Sequence, residues 1–219
     1  MNTDPVPRDQ DRRPVVAVDF DGTLTRRDTL RQFLFRVQPP MVLIKAFASH
    51  VPSIARSFRG DDERNHAKAV VFSDILGGMP RIDAEAAAIE TAQAITEAML
   101  KTDVVARIRW HQKEGHRVIV VSASFINYVA PVVGELGIDE VIATRWEVDP
   151  VTDRLTGRFE GANVRGEAKV DLLTDHLGGT CALEYAYGNS RGDVAMLAEA
   201  KNPVWIGRGT ITEVPQSTR

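Results

Sequence analysis

The run Val15-Val16-Ala17-Val18 passes without interruption into Asp19-Phe20-Asp21-Gly22-Thr23, and this junction constrains the fold more than any other part of the chain. A short continuous apolar run reads as a strand buried on both faces, as at the centre of a parallel sheet. In such sheets ligands bind beyond the carboxyl ends of the strands. Side chains alternate along a strand, so Asp19 and Asp21 leave the sheet on the same side. Two carboxylates so placed are costly unless a cation or a reaction uses them. Asp21-Gly22 is also a hairpin signal, but the chain after Thr25 is polar and then helical, with no returning strand.

At 219 residues the chain suits one large domain, or a domain with a sizeable insertion. A formal charge of -3 argues against a nucleic-acid partner, which would show as a basic domain or stripe. The single cysteine, Cys181, excludes an intramolecular disulfide and reads as a small hydrophobe at the edge of an apolar run. The first apolar run is too short for a signal peptide, so a cytoplasmic location is expected. Residues 1–13 are polar, charged and proline-containing, and read as a flexible arm.

Beyond the acidic loop, Leu30, Phe33, Leu34 and Val37 mark a short helix ended by Pro39-Pro40. Met41, Ile44, Phe47, Ala48, Val51, Ile54, Ala55 and Phe58 then recur near helical spacing, with Pro52 expected to kink or divide the segment. The charges there, Lys45, Arg56 and Arg59, are all basic. Three readings compete for 41–59: core of a helical unit, substrate-specificity surface, or membrane-surface helix. A transmembrane span is argued against by Lys45, His50, Pro52 and Arg56. Asp61-Asp62-Glu63 supplies an acidic helix start and Gly77-Gly78 an end. From Asp83 to Leu100 an Ala-rich helix follows, with Ala88, Ala92, Ile95 and Met99 on one face. Residues 28–100 thus form an all-helical insert, expected to be a cap domain on an α/β core made of 14–27 and 101–219.

The sheet pattern then resumes. Asp103 can cap a helix closed by Gly115, and Val118–Val121 is a second buried strand ending at Ser122. A helix through Phe125–Leu136 carries Pro131, and Glu140–Val148 is a third strand. Asp149-Pro150 turns the chain into a short return strand, Arg154–Phe159. A helix at Glu167–Leu177, a strand at Leu183–Tyr187, a helix at Arg191–Ala200 and a strand at Val204–Ile206 complete the pattern. Alternating strands and helices imply a Rossmann-like three-layer α/β fold with a mostly parallel sheet and right-handed crossovers.

The unusual polar residues fall at strand ends or at the helix starts after them: Asp19, Asp21, Ser122, Lys169, Asn189 and Asp193. Each has an ordinary alternative. Ser122 could cap a helix, Lys169 could be solvated, and Asp193 could be a first-turn acid. Together they converge on one rim of one sheet. A carboxylate nucleophile, a second carboxylate, a hydroxyl, a lysine and a distal acid make a phosphoryl-transfer site. Charge develops there on phosphoryl oxygens and is met by cations. Mg²⁺ suits such hard oxygen ligands, and attack by Asp on phosphorus splits one hard step into two.

Asp19-Phe20-Asp21-Gly22-Thr23, Ser122 after its strand, Gly166-Glu167-Ala168-Lys169 and Gly188-Asn189-Ser190-Arg191-Gly192-Asp193 resemble the four ordered motifs of haloacid dehalogenase-like phosphatases. The branch most similar is that of phosphoserine phosphatase, with a helical cap between the first two motifs. The resemblance spans residues 15 to about 207 and implies an enzyme, a HAD-type phosphomonoester hydrolase, with roles by position. Asp19 would be nucleophile and metal ligand. Asp21 would be general acid and then base, with its backbone carbonyl on Mg²⁺. Ser122, Lys169 and the amides around Gly22, Thr23 and Ala123 would hold phosphoryl oxygens. Asp193 would complete the metal site, and Asp28 matches in spacing an acid that meets a substrate amino group.

The family usually has Asp where this chain has Asn189, so the site keeps an amide oxygen but loses one negative charge. The expected substrate is a small phosphorylated metabolite, phosphoserine-like among the options. A membrane-associated phosphatase of lipid headgroups is the alternative raised by 41–59, and a phosphotransferase or mutase differs only in the acceptor. A dehalogenase has no use for the acid Asp21, and a signalling receiver domain has no place for the insert. Neither the substrate nor the oligomeric state is legible, and Arg56, Arg59 and Arg64 could each meet a substrate carboxylate but read first as solvated side chains, since arginine is mostly exposed.

Overall fold

The computed structural model describes residues 13–50, 61–138, 140–207 and 211–213, with only the backbone for 61–68 and 211–213. The expected arm (save Arg13), the Pro52 kink, Arg56 and Arg59, and the Arg64 side chain lie outside the described set.

Five parallel strands form the frame: β1 (Val15–Val18), β2 (Arg117–Phe125), β3 (Glu140–Asp149), β5 (Leu183–Gly188) and β6 (Ala200–Ile206). Antiparallel β4 (Arg154–Glu160) pairs with β3, and β7 (Ile211–Glu213) pairs with β6. The order is β4-β3-β2-β1-β5-β6-β7. β1 is therefore central, and every one of its side chains is buried, as its unbroken apolar run requires. Connections run to opposite sides of β1, so its carboxyl end is the switch point where an open α/β sheet forms its crevice. Alternate residues feed two layers: Val16 and Val18 join one buried cluster, Val15 and Ala17 the other.

The helical insertion comprises α1 (Leu30–Val37), α2 (Pro40–Ser49), α3 (Asp61–Leu76) and α4 (Arg81–Ala98). It shares its core with the sheet. Leu43, Phe72 and Ala84 lie in the same buried cluster as Val18 and Tyr128, and Phe33 stacks on Trp146 with ring centroids 5.8 Å apart. Of the apolar residues in α2, Leu43 and Ala46 are buried, whereas Met41, Ile44 and Phe47 stay exposed. The core reading of this segment therefore accounts for only one side of the helix.

The remaining helices are α5 (Thr102–Lys113), α6 (Ile126–Gly134), α7 (Glu167–Leu177) and α8 (Val194–Ala198). Several boundaries differ from the sequence expectation. Lys101, not Asp103, occupies the cap position of α5; Asp103 sits in its first turn, where a carboxylate still favours the helix dipole. The expected helix 191–200 is a 3₁₀ turn, Arg191–Asp193, followed by the short α8, because β6 already begins at Ala200. After Ala200 that strand carries the polar Lys201 and Asn202 and then Pro203, which lacks a donor and masks strand character. Pro203 is tolerated because β7 pairs only with Val204–Ile206. β2 extends past Ser122 to Phe125: Ser122 pairs with Ala143 and Phe125 with Thr144, so Ala123 and Ser124 are looped out. This is a bulge, a device that re-aims side chains beside functional clefts.

Candidate active site

Asp19 follows directly from β1, its amide held by the carbonyl of Tyr187 on β5 at 2.9 Å. The chain then winds through a tight turn, Phe20–Leu24, with Gly22 at φ 77°. Only glycine fits there: a β-carbon would lie 2.0 Å from Asn189 Nδ2 and would hold the left-handed conformation at a cost. Gly188 is constrained by space alone, since its β-carbon would meet that of Asp193 at 2.5 Å. The two glycines let the first and last acidic segments close on each other.

Lys169, in the first turn of α7, is fully buried. Its ammonium donates to Asp19 Oδ1 at 2.7 Å, Asp193 Oδ1 at 2.7 Å and the Val121 carbonyl at 2.9 Å. All three protons are thereby used, and the reading of Lys169 as a solvated lysine does not apply. Asp193 Oδ2 accepts from the amides of Asn189 and Ser190 and from the Ser190 hydroxyl, so it both caps its own turn and pairs with Lys169. Burial pushes the Asp19 carboxyl up to about 7, with Lys169 pulling it down and Asp193 adding repulsion. Burial also raises Asp193, but Lys169 and the surrounding donors outweigh it and hold that carboxyl below the usual range.

Asp21 occupies a different environment. Its Oδ1 accepts from the Thr29 amide and hydroxyl, both at 2.7 Å, and its Oδ2 from the Ser124 hydroxyl. Burial, and then the charge of Asp28, raise its pKa despite these hydrogen bonds. Burial thus raises both carboxyls, and what distinguishes them is their partners: an ammonium for Asp19, and hydroxyl and amide donors for Asp21. Ser124 and Thr29 were not anticipated from sequence. Isolated hydroxyls carry no signal, and Ser124 reaches Asp21 only through the bulge in β2.

These groups open into a cavity of about 1230 Å³ whose wall includes Asp19, Asp21, Gly22 and Asp28. Ala123, Lys169, Asn189 and Asp193 complete the predicted residues in that wall. Ser122 and Thr23 are buried outside it. Ser122 Oγ accepts the Ser124 amide at 3.0 Å and lies within a strand, not at a helix cap. The Thr23 hydroxyl has no hydrogen-bond partner among the described residues. The Asp28 carboxylate accepts the Leu30 amide at 2.8 Å, a local turn contact beside α1, while also lining the cavity. Arg26, Arg27, Lys101 and Arg165 add basic groups to the wall. Lys101 donates to the Gly22 carbonyl at 2.6 Å, and burial lowers its pKa.

Asp19, Asp21, Asn189 and Asp193 all line this cavity, and carboxylate, amide and main-chain oxygens of these four residues are the atoms that could hold a cation. Among the described residues no three His, Cys, Asp or Glu side chains come together as a metal cage. The set fits Mg²⁺, which binds through one or two carboxylates and keeps waters and substrate oxygens for its remaining positions.

No helix among the described residues is long and apolar enough to cross a membrane. Residues 16–198 match the family model of haloacid dehalogenase-like hydrolases. The Protein CicA of Caulobacter vibrioides is 34% identical over 186 residues, covering 85% of this chain and 82% of that protein. A protein of unknown function from Bordetella pertussis Tohama I superposes with a TM-score of 0.70 at 24% identity, over 87% of this chain and 88% of its own. A phospho-aspartyl intermediate analogue of phosphoserine phosphatase superposes with a TM-score of 0.59 at 21% identity, over 87% and 85%. At such identities the structural likeness speaks for the fold, while the family match covers most of the chain, including all four motifs: this protein belongs to the haloacid dehalogenase-like hydrolases.

Proposed function

We propose that the protein is a Mg²⁺-dependent phosphomonoester hydrolase that forms an aspartyl-phosphate on Asp19 and acts on a small phosphorylated metabolite. The observation that carries this reading is the division of labour between two carboxyls. Asp19 is paired with a buried lysine at the carboxyl end of β1, whereas Asp21 accepts from neutral donors on Thr29 and Ser124, with burial and the charge of Asp28 raising its pKa.

In this reading an Asp19 oxygen attacks phosphorus, forming a bond from carboxylate to phosphorus as the bond from phosphorus to the alcohol oxygen breaks. Asp21 delivers its proton to that departing oxygen. It then takes a proton from the water that attacks the phosphoryl group and releases Asp19. Lys169 stabilises charge on the phosphoryl oxygens by sharing the protons it now gives to Asp19 and Asp193. Mg²⁺, held by Asp19, Asn189, Asp193 and the Asp21 carbonyl, would supply neutralisation of the phosphoryl charge. Ser122 serves here by shaping the bulge, and the amides of Gly22, Thr23 and Ala123 are the candidates for binding the phosphoryl oxygens. Residues 28–100 serve as the cap that excludes water and selects the substrate. Asp28, on the cavity wall, is the group placed to meet a cationic part of a phosphoserine-like substrate.

Phosphate release from p-nitrophenyl phosphate with Mg²⁺ present tests the reaction class. Activity lost in Asp19→Asn and on chelation supports it; activity unaffected by Asp19→Asn overturns it. A screen across amino-acid, sugar, polyol and lipid-headgroup phosphates then identifies the alcohol.

A further inference from the structure

One helix does not behave as part of a water-facing surface. In α2, Leu43 and Ala46 are buried, and the stripe formed by Met41, Ile44, Lys45 and Ala48 is exposed. These four positions stand at spacings of three and four residues, so they share one side of the helix. A soluble helix normally turns polar residues outward; here the outward stripe offers one lysine and three apolar residues. Val42 and Phe47 flank it and are also exposed. Together with Phe35 on α1, this short stretch holds half of the exposed large apolar side chains among the described residues. Such clustering marks an interaction site, whereas scattered exposed apolar residues do not.

Charge selects the partner. Among the described residues from Thr29 to His50 the Arg and Lys side chains are Arg31, Arg36 and Lys45 and there is no Asp or Glu, in a chain with 30 acidic residues and a net charge of -3. Neighbouring elements supply a few acids: Glu90 lies 4.0 Å from Arg36, and Asp74 lies 2.8 Å from His50. Arg31 instead lies over the Phe35 ring at 5.4 Å, and neither Arg31 nor Lys45 forms an ion pair among the described residues. A second copy of this chain fits poorly, because a two-fold interface would set the basic surface against itself. An anionic lipid surface satisfies both properties. Apolar side chains enter the headgroup boundary, Lys45 extends its stem along it, and the basic groups meet lipid charge. We propose that the exposed face of α2, with Lys45, docks this protein on anionic membrane surfaces. This binding does not depend on the hydrolase reading, and its test requires no turnover.

The full chain is sedimented with vesicles of phosphatidylcholine alone and with vesicles containing roughly 30% phosphatidylserine. Partition onto the anionic vesicles is expected to exceed that onto neutral ones by about tenfold or more and to weaken with added salt. Lys45→Glu should lower it by at least about fivefold. The double variant Met41→Glu, Ile44→Glu should abolish it, and the milder Ile44→Ser should reduce it, with thermal melting unchanged because these side chains are exposed. Absence of vesicle binding by the parent protein overturns the proposal, as does binding that persists in the double variant. Concentration-dependent self-association removed by Ile44→Ser, without vesicle binding, would assign the face to a second copy instead.

Discussion

Ser124 donates its hydroxyl proton to Asp21 Oδ2 across a separation of 103 residues. The bulge in β2 makes this contact possible, since Ala123 and Ser124 are the residues it loops out of register. With Thr29 on the other oxygen, the carboxyl of Asp21 is fixed in both position and rotation. Losing one such bond in a partly buried site costs about 1–3 kcal/mol. Ser124→Ala should therefore lower kcat by roughly tenfold to a hundredfold, with KM little changed. The loss should be larger for alkyl phosphates than for p-nitrophenyl phosphate, whose leaving group needs little help from an acid. Equal losses on both substrates would remove Asp21 orientation as the explanation.

Lys169 carries the charge balance of the buried edge. Removing it leaves Asp19 and Asp193 close together without their shared cation. Breaking one side of a buried ionic cluster typically costs about 3–5 kcal/mol. Lys169→Met should thus abolish phosphate release and lower stability by a similar amount in urea titration, since methionine fills the space but not the charge. Mild acid should recover part of that stability, because protonation of one carboxyl relieves the repulsion.

Asn189 sits where the site is short of charge. Its amide nitrogen approaches Gly22, and its backbone amide is held by Asp193, so the side chain is already placed in the cavity wall. Replacing the amide by a carboxylate adds one negative charge to a donor set of two carboxylates, and cation affinity rises with ligand charge. Asn189→Asp should need less Mg²⁺ for half-maximal phosphate release. An unchanged Mg²⁺ requirement would argue that Asn189 is not a ligand.

Residues whose chemistry sits at a strand end or helix start were legible in the sequence. Asp19, Lys169 and Asp193 occupy such positions, and the structure brings all three together at one cavity. Ser124 and Thr29 were not legible, because a hydroxyl becomes informative only when a bulge or a returning loop brings it to a partner. The insertion was visible as a run of helical periodicity between Asp28 and Leu100. Periodicity gives an apolar side but does not say which surface it meets. Phe33 proved to pack on Trp146 and Phe125 of the sheet, so the insertion and the α/β layer share a core that sequence would divide. The same limitation left three readings open for the segment of α2, whose buried side is Leu43 and Ala46 and whose outward stripe is apolar except for Lys45.

His111 predicts how the fold responds to acid. It is fully buried on α5, with Nε2 2.7 Å from the Tyr187 hydroxyl and Nδ1 2.8 Å from His116 Nδ1. Burial, then the charges of His116 and Arg107, lower its pKa from 6.5 to about 4. Above pH 6.5 the ring is neutral in both folded and unfolded chains and pH has no leverage. As pH falls from 6.5 towards 4 the unfolded chain binds a proton that the folded chain refuses, so stability declines through that window. The full effect is on the order of 3 kcal/mol. His111→Gln keeps a polar side chain near Tyr187 but cannot titrate. Urea titrations at pH 7 and pH 5 should show a smaller loss for the variant than for the parent, even if the variant starts from a lower stability. Carboxylates titrating near pH 5 contribute to both proteins alike and cancel in the comparison, so identical pH slopes would mean that His111 can take up its proton without leaving the fold.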